Sequence, residues 1–226
     1  MHQNYTLNLL SRITLFIEDF NNKNGVDFQI DTIRINFFKQ YNLDKLNELG
    51  SWHKIEKNNP IMSKLKKRLF LEAITSAYQL ENYPIYYYNI QDKPKYRKAQ
   101  LVIYGLSQYH KAPPPYSLVE NLTKTLRNIT NIDLCYDFEN KPNIDNLSEY
   151  KIEQYIDKET MLPTNTYYIN DTGIPMIERV CIYDKSLKNK LSFNVNRFEA
   201  TISIPNIKYL NLPLYELNKI LQKVLH

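Results

Sequence analysis

The segment Asn131-Ile132-Asp133-Leu134-Cys135-Tyr136-Asp137-Phe138 constrains the fold of this chain more than any other stretch. Its apolar residues give it the character of a strand, and in a strand residues two apart point to the same face. Asp133, Cys135 and Asp137 therefore share one face, and Leu134 and Tyr136 the other. Taking a carboxylate out of water costs several kcal/mol unless a positive partner or hydrogen-bond donors compensate. Two carboxylates on one face of a sheet strand thus imply a cation nearby. Oxygen-only ligands of this kind suit a hard divalent ion, Mg2+ or Mn2+. A lysine paired with Asp137 at the turn Phe138-Glu139-Asn140 would serve that residue equally well.

A second acid occupies a similar place. In Asn196-Arg197-Phe198-Glu199-Ala200-Thr201-Ile202-Ser203-Ile204, Glu199 lies on the face opposite Phe198, Ala200 and Ile202. From a neighbouring strand it can complete one carboxylate cluster with Asp133 and Asp137, or it can pair with Arg197 on its own face. A third region, Arg179 to Lys185, places Arg179, Cys181, Tyr183 and Lys185 on one face, a mixed cationic and phenolic surface. Before it, Tyr167 and Tyr168 are adjacent and must face opposite sides of any strand that holds them.

Around these segments the pattern alternates between helix and strand. Leu7, Leu10, Ile13, Leu15, Phe16 and Phe20 recur at helical spacing, and Asn21 to Gly25 ends that helix, so residues 1–25 read as an N-terminal helix and residues 26–226 as one domain. Phe28 to Phe38 reads as a strand buried on both faces, and Leu43 to Leu49 as a short helix closed by Gly50. Met62 to Leu80 reads as a helix with a basic first half, Lys64, Lys66, Lys67 and Arg68. Ile85 to Ile90 and Ala99 to Tyr104 read as strands. Ser117, with Glu120 three residues on, has the spacing of a capping box for a helix reaching about Ile129. Asn146 to Lys158 looks helical. Thr164 to Asn170, Pro175 to Asp184 and Phe193 to Ile204 read as strands, and Pro213 suits the start of a last helix through Leu225. The expected fold class is α+β, a mainly antiparallel sheet flanked by helices on one side.

Composition narrows the function classes. Twenty-nine Lys and Arg against 24 Asp and Glu give a formal charge of +5, which favours a polyanionic partner without demanding one. Nineteen tyrosines in a chain rich in Asn, Lys and Ile are what a strongly AT-rich genome produces, so their number alone carries no chemistry. Cys135 and Cys181 both lie in apolar runs, which fits a reducing compartment and no disulfide framework. Neither has a second Cys or His at zinc-ligand spacing. Met1 to Phe20 lacks the basic leader, apolar core and cleavage site of a signal peptide, and no apolar run reaches membrane-spanning length. The expectation is a cytoplasmic protein without a membrane segment.

Taken in order, these segments resemble the rolling-circle replication initiators of plasmids and filamentous phages and the related relaxases. That group shows a strand T-R-I-D-L-A-x-D, then Y-x-G-S, then R-I-Y-D-K, then R-x-E. Here Thr130 to Asp137 reads TNIDLCYD, Tyr168 to Asp171 YIND, Cys181 to Lys185 CIYDK and Arg197 to Glu199 RFE, and Leu101 to Gly105 followed by a helix also fits. The match spans roughly residues 28 to 204. It departs at Asn131, Asn170 and Cys181, which stand where the group has Arg, Gly and Arg. Arg179, on the same face as Cys181, is placed to substitute for the last. Two readings stay open, a divergent nickase and a member that has lost catalysis.

The resemblance implies the tyrosine-nickase fold and cleavage of one DNA strand by transesterification. Tyr168, or as second choice Tyr167, would be the nucleophile that becomes linked to a 5′-phosphate. Asp133, Asp137 and Glu199 would hold the divalent ion, and Lys185 or Arg179 would offset phosphate charge. Lys64, Lys66, Lys67 and Arg68 would grip flanking duplex. The implied partners are origin DNA, single-stranded at the nick, and a host helicase. A DNA-binding or copy-control protein without nuclease activity is the alternative.

Overall fold

The computed structural model describes residues 8–69, 74–89, 98–109 and 111–226, apart from the side chains of residues 67–69. Among the described residues there are six helices and ten strands, and each strand pairing laid out below is antiparallel. The fold is α+β, as the alternation of patterns predicts. No helix among the described residues is long and apolar enough to cross a membrane.

The chain divides into two compact units, one of residues 1–12, 32–106 and 112–130, the other of residues 13–31, 107–111 and 131–226. Helix α1 (Leu9–Asn24) runs from the first into the second. It buries Leu10, Ile13, Ile17 and Phe20, spaced three or four apart as a helical stripe requires. The Asn8 side chain accepts a hydrogen bond from the Ser11 N–H at its start, and Gly25, at φ +64°, follows its end.

The first unit contains β1 (Gln29–Phe38) from Thr32 on, the first three residues of that strand belonging to the second unit, and then α2 (Lys39–Asn47), β2 (Trp52–Ile55), α3 (Pro60–Leu69), β3 (Ser76–Leu80), β4 (Ile85–Asn89), β5 (Lys98–Ile103) and α4 (Tyr116–Leu126). The strands lie in the order β2-β3-β4-β5-β1. One sheet face contributes Ile55, Ala77, Tyr88 and Val102 to a core that Met62 and Leu65 of α3 complete. Trp52, Tyr87 and Phe37 form an aromatic group on the other face, where the Trp52 indole N–H donates to the Leu46 carbonyl of α2.

The second unit contains β6 (Ile129–Phe138), β7 (Ile152–Ile156), β8 (Pro163–Ile169), β9 (Ile177–Asp184), α5 (Lys185–Asn189), β10 (Asn196–Ser203) and α6 (Asn211–Leu225), with β6 beginning two residues earlier in the first unit. The strand order is β6-β10-β9-β8-β7. Leu134, Ala200 and Val180 lie side by side across the sheet, as do Tyr136, Phe198 and Ile182. This apolar face matches the stripe Leu214, Leu217, Ile220, Leu221 and Val224 buried on α6. Phe28 packs against both Phe20 of α1 and Tyr136. The opposite face of the same five strands carries the polar residues.

Three local expectations fail for physical reasons. Of the helix expected over 62–80, the described part is α3, Pro60–Leu69, and Ser76–Leu80 is a strand, because pairing with β2 and β4 buries Ala77 and Leu80 completely. The helix expected over 146–158 is instead a single 3-10 turn, Asp145–Leu147, and the edge strand β7. Its charged neighbours Lys151, Glu153 and Lys158 suit an edge, where charge discourages pairing with another chain. The Ser117–Glu120 capping box does not form: α4 starts at Tyr116 after Pro115, with no side-chain cap, and Glu120 pairs with Lys124.

Candidate functional site

Antiparallel register decides which side chains meet on the polar face of the second unit. Residues directly opposite one another project to the same side of the sheet. Asp137, Arg197, Tyr183 and Thr166 form one row across β6, β10, β9 and β8. Cys135, Glu199, Cys181, Tyr168 and Glu153 form the next, reaching β7. Asp133, Thr201 and Arg179 form the third. The sequence-predicted Asp133, Asp137, Glu199, Arg179 and Tyr168 thus all lie on one face. Tyr167 lies on the other, in the row of Ile182 and Phe198.

Arg197 organises the first row. It is fully buried, a costly position for a guanidinium unless its donors are used. Nε donates to Asp137 Oδ1 at 2.6 Å and NH2 to Asp137 Oδ2 at 2.8 Å, the bidentate fork that carboxylates fit best. NH1 reaches Asp31 Oδ1 at 3.0 Å, and NH2 also reaches the Ser107 carbonyl at 2.7 Å. Lys185, also fully buried, donates to Asp137 Oδ2 at 3.3 Å and to the same carbonyl at 3.1 Å. The Tyr109 hydroxyl donates to Asp137 Oδ2 at 2.6 Å, and its ring lies 4.1 Å below the Lys185 ammonium. Gln108 Nε2 completes the shell at Asp31 Oδ1, 2.9 Å away.

The pKa shifts follow from these contacts. Burial alone would raise Asp137, but the hydrogen bond and charge of Arg197, with Tyr109 and Lys185, outweigh it and hold the carboxyl below its ordinary value. Lys185 is lowered, by burial and by the charge of Arg197. Tyr109 is pushed up to about 12 by burial and by the bond to Asp137. Glu199 differs in kind. No lysine or arginine makes a salt bridge to it among the described residues; the Tyr183 hydroxyl donates to Oε2 at 3.1 Å. Burial first, then the nearby Asp133 and Asp31 carboxylates, raise its pKa, against the opposing charges of Lys188 and Arg197.

The face therefore contains the expected acids in a different arrangement. Asp133, Asp137 and Glu199 do not fit a divalent ion as one ligand set, because both oxygens of Asp137 already accept from N–H and O–H donors. Among the described residues no group of three His, Cys, Asp or Glu side chains is disposed to hold a metal ion. Arg197 pairs with Asp137 across the strands, and not with Glu199 along its own strand. Asp133 accepts from the Thr201 hydroxyl at 2.8 Å.

Tyr168 is half-buried and its pKa is pushed up to about 12, mainly by burial and then by Cys181, while Arg179 stands 5.9 Å from its ring centre and opposes the rise. Lys185, expected to face phosphate, is enclosed; exposed Lys188, one turn on in α5, lies 4.0 Å from the Tyr183 ring and supplies charge to the same face. On α3, Lys64 is exposed and Lys66 half-buried, while the side chains of Lys67 and Arg68 lie outside the described residues.

Asp31, Tyr109 and Lys188 escape the motif reading altogether. Asp31 breaks the apolar run Phe28 to Phe38, the same signal that marks Asp133, and that irregularity was its one trace in the sequence. Tyr109 and Ser107 arrive on a loop, with no periodicity to mark them.

No family model matches the sequence, and no curated protein matches it. Among solved structures, the chain is similar to the rolling circle replication initiator protein from Geobacillus stearothermophilus. The two are 15% identical over 78% of this chain and 74% of that one, with a TM-score of 0.48. The likeness is a loose one.

Two outcomes test the geometry. Arg197→Met leaves Asp31 and Asp137 buried without their main partner and should lower unfolding stability by about 3–5 kcal/mol in urea titration. A loss within the range of a surface substitution would show that the cluster is solvated. Glu199→Gln tests the unpaired acid. A carboxyl raised in the folded state contributes stability below its unfolded pKa and loses it as pH rises through the folded value. The melting temperature of Glu199→Gln relative to the parent should therefore climb as the pH rises above the ordinary carboxyl range, and a pH-independent difference would contradict the raised pKa.

Proposed function

We propose that this chain is a DNA-nicking protein of the replication-initiator kind, with Tyr168 as its nucleophile. The observation that supports this reading is the register that sets Tyr168, Glu199, Asp133 and Arg179 on one polar face while Tyr167 projects to the opposite side. The order of the TNIDLCYD, YIND, CIYDK and RFE segments supports it as well.

The phenolic oxygen of Tyr168 would attack phosphorus, forming a new P–O bond as the bond to the 3′-oxygen breaks. The phenol gives up its proton, the leaving 3′-oxygen takes one up, and one diester replaces another. A phenol raised to about 12 is a poor nucleophile at neutral pH, so the reaction needs positive charge beside it. Arg179, close to the Tyr168 ring, and Lys188, near Glu199, would supply that charge to the phosphate and to the developing phenolate. Tyr168 is two strands from Glu199, about 10 Å in backbone terms. A phosphate above the Cys181 position would lie between them. Glu199, with its raised pKa, would be protonated more readily than an ordinary carboxyl, which lessens repulsion of the incoming phosphate.

Of the residues expected to bind Mg2+ or Mn2+, Asp133 and Glu199 share the face with Tyr168, and Asp137 would act through Arg197 and Lys185 to hold that face in shape. Lys64, Lys66, Lys67 and Arg68 would contact flanking duplex through its backbone. A host helicase and a cytoplasmic location belong to the same proposal.

A second reading, a DNA-binding protein that no longer cuts, rests on one observation: Asp137 and Lys185 are locked in a closed ion-paired group. Incubation with supercoiled cognate plasmid, with and without Mn2+, separates the two. The nickase reading expects a protein-linked nicked product that Tyr168→Phe abolishes and Tyr167→Phe leaves intact, with DNA binding retained in both. Retained binding with no adduct from the parent protein would select the second reading.

A further inference from the structure

The first unit carries a surface that the motif reading does not touch. Helices α2 and α4 border a shallow notch of about 520 Å3 lined by Asn42, Lys45, Lys124, Thr125, Leu126 and Arg127. Three of the six are cations and none is an acid. Lys45, Lys124 and Arg127 are all exposed. Lys124 makes an ion pair with half-buried Glu120 one turn earlier, at 3.0 Å, and a phosphate can compete for the exposed ammonium at modest cost.

Aromatic side chains adjoin the cations. Tyr41 lies four residues before Lys45 on α2, so the two project from the same side of the helix. It is 68% exposed, and its ring meets that of Phe38, itself 42% exposed, edge-on at 6.5 Å. The ammonium of Lys98 stands 5.8 Å from the Phe38 ring centre. Large exposed rings are costly to leave in water, and a ring beside a row of cations offers a stacking surface next to phosphate partners.

Arg127 supplies the last element. It ends α4 in the left-handed conformation, φ +61°, which favours Gly or Asn. There its Nε donates to the Lys124 carbonyl at 3.1 Å, which holds the guanidinium beside the notch. A side chain at this position costs backbone energy that glycine would not.

We propose that this α2–α4 surface binds single-stranded DNA, the notch taking backbone phosphates and Tyr41 stacking on a base. This rests on the reading of the chain as a DNA-binding protein and adds to it a site distinct from Lys64 to Arg68 and from the polar face of the second unit. The ordered cations give the phosphate contacts, and the sequence-tolerant ring gives preference for an unpaired strand over a duplex.

Fluorescence anisotropy with a labelled oligothymidylate strand, over a series of salt concentrations, tests it. The triple variant Lys45→Gln/Lys124→Gln/Arg127→Gln should bind more weakly and lose roughly two units of salt slope, at about 0.7 per single-strand phosphate contact. Tyr41→Ala should weaken binding of the strand by about tenfold while leaving a mixed-sequence duplex unchanged. Arg127→Gly, which suits the backbone, should melt no lower than the parent protein and still bind the strand less tightly. If the parent binds the strand and all these variants, folded by circular dichroism, bind it with the same affinity and slope, the surface is wrong and the DNA-binding reading stands. If the parent binds neither strand nor duplex, both fall together.

Discussion

The fully buried guanidinium of Arg197 joins three segments of the second unit that are distant in sequence. It bonds Asp31 at the start of β1, the Ser107 carbonyl on the loop after β5, and Asp137 near the end of β6. Lys185 repeats two of those contacts from the first turn of α5. Asp31 and Asp137 against Arg197 and Lys185 make two acids and two bases, so this group is close to neutral within itself. Such a group is weak evidence for extra stability, because an apolar set of similar volume often does as well. What it fixes is position: the loop, the helix and two strands are all registered to one charge.

Glu199 makes no such salt bridge among the described residues. Glu199 answers by holding its proton more tightly and accepts from the Tyr183 hydroxyl, and Asp133 accepts from the Thr201 hydroxyl. A carboxylate on this face repels a DNA phosphate unless a proton or a cation intervenes. Arg179 and Lys188 are the cations at hand: Arg179 stands beside the Tyr168 ring, two rows from Arg197, and Lys188 lies over the ring of Tyr183. The chemistry proposed for Tyr168 therefore depends on a division of the face into a sealed half and an open half.

Much of this was legible in the sequence. Period-two alternation with acids inside apolar runs gives the strands β6 and β10 and the shared face of Asp133, Asp137 and Glu199, because burial on one side leaves a strand no freedom to slip by one residue. The separation of Tyr167 from Tyr168 follows from the same rule. Partner choice does not follow from it. Arg197 is equally spaced for Glu199 and for a residue across the sheet, and only the register decides for Asp137. Ser107, Gln108 and Tyr109 come from a loop, whose placement is set by tertiary contacts and leaves no periodic trace. The strand at Ser76–Leu80 and the edge strand at Ile152–Ile156 carry local patterns that a helix fits as well, and sheet pairing settles them.

The central claim is that one phenol on the open half of the polar face becomes covalently bound to DNA. Trapping the protein on a single-stranded substrate, digesting both components and sequencing the nucleotide-bearing peptide by tandem mass spectrometry tests it most directly. The account predicts the added nucleotide mass on Tyr168, on the peptide that spans Thr164 to Asp171. The same mass on Tyr109 or Tyr183, or DNA bound with no tyrosine modified, would contradict it.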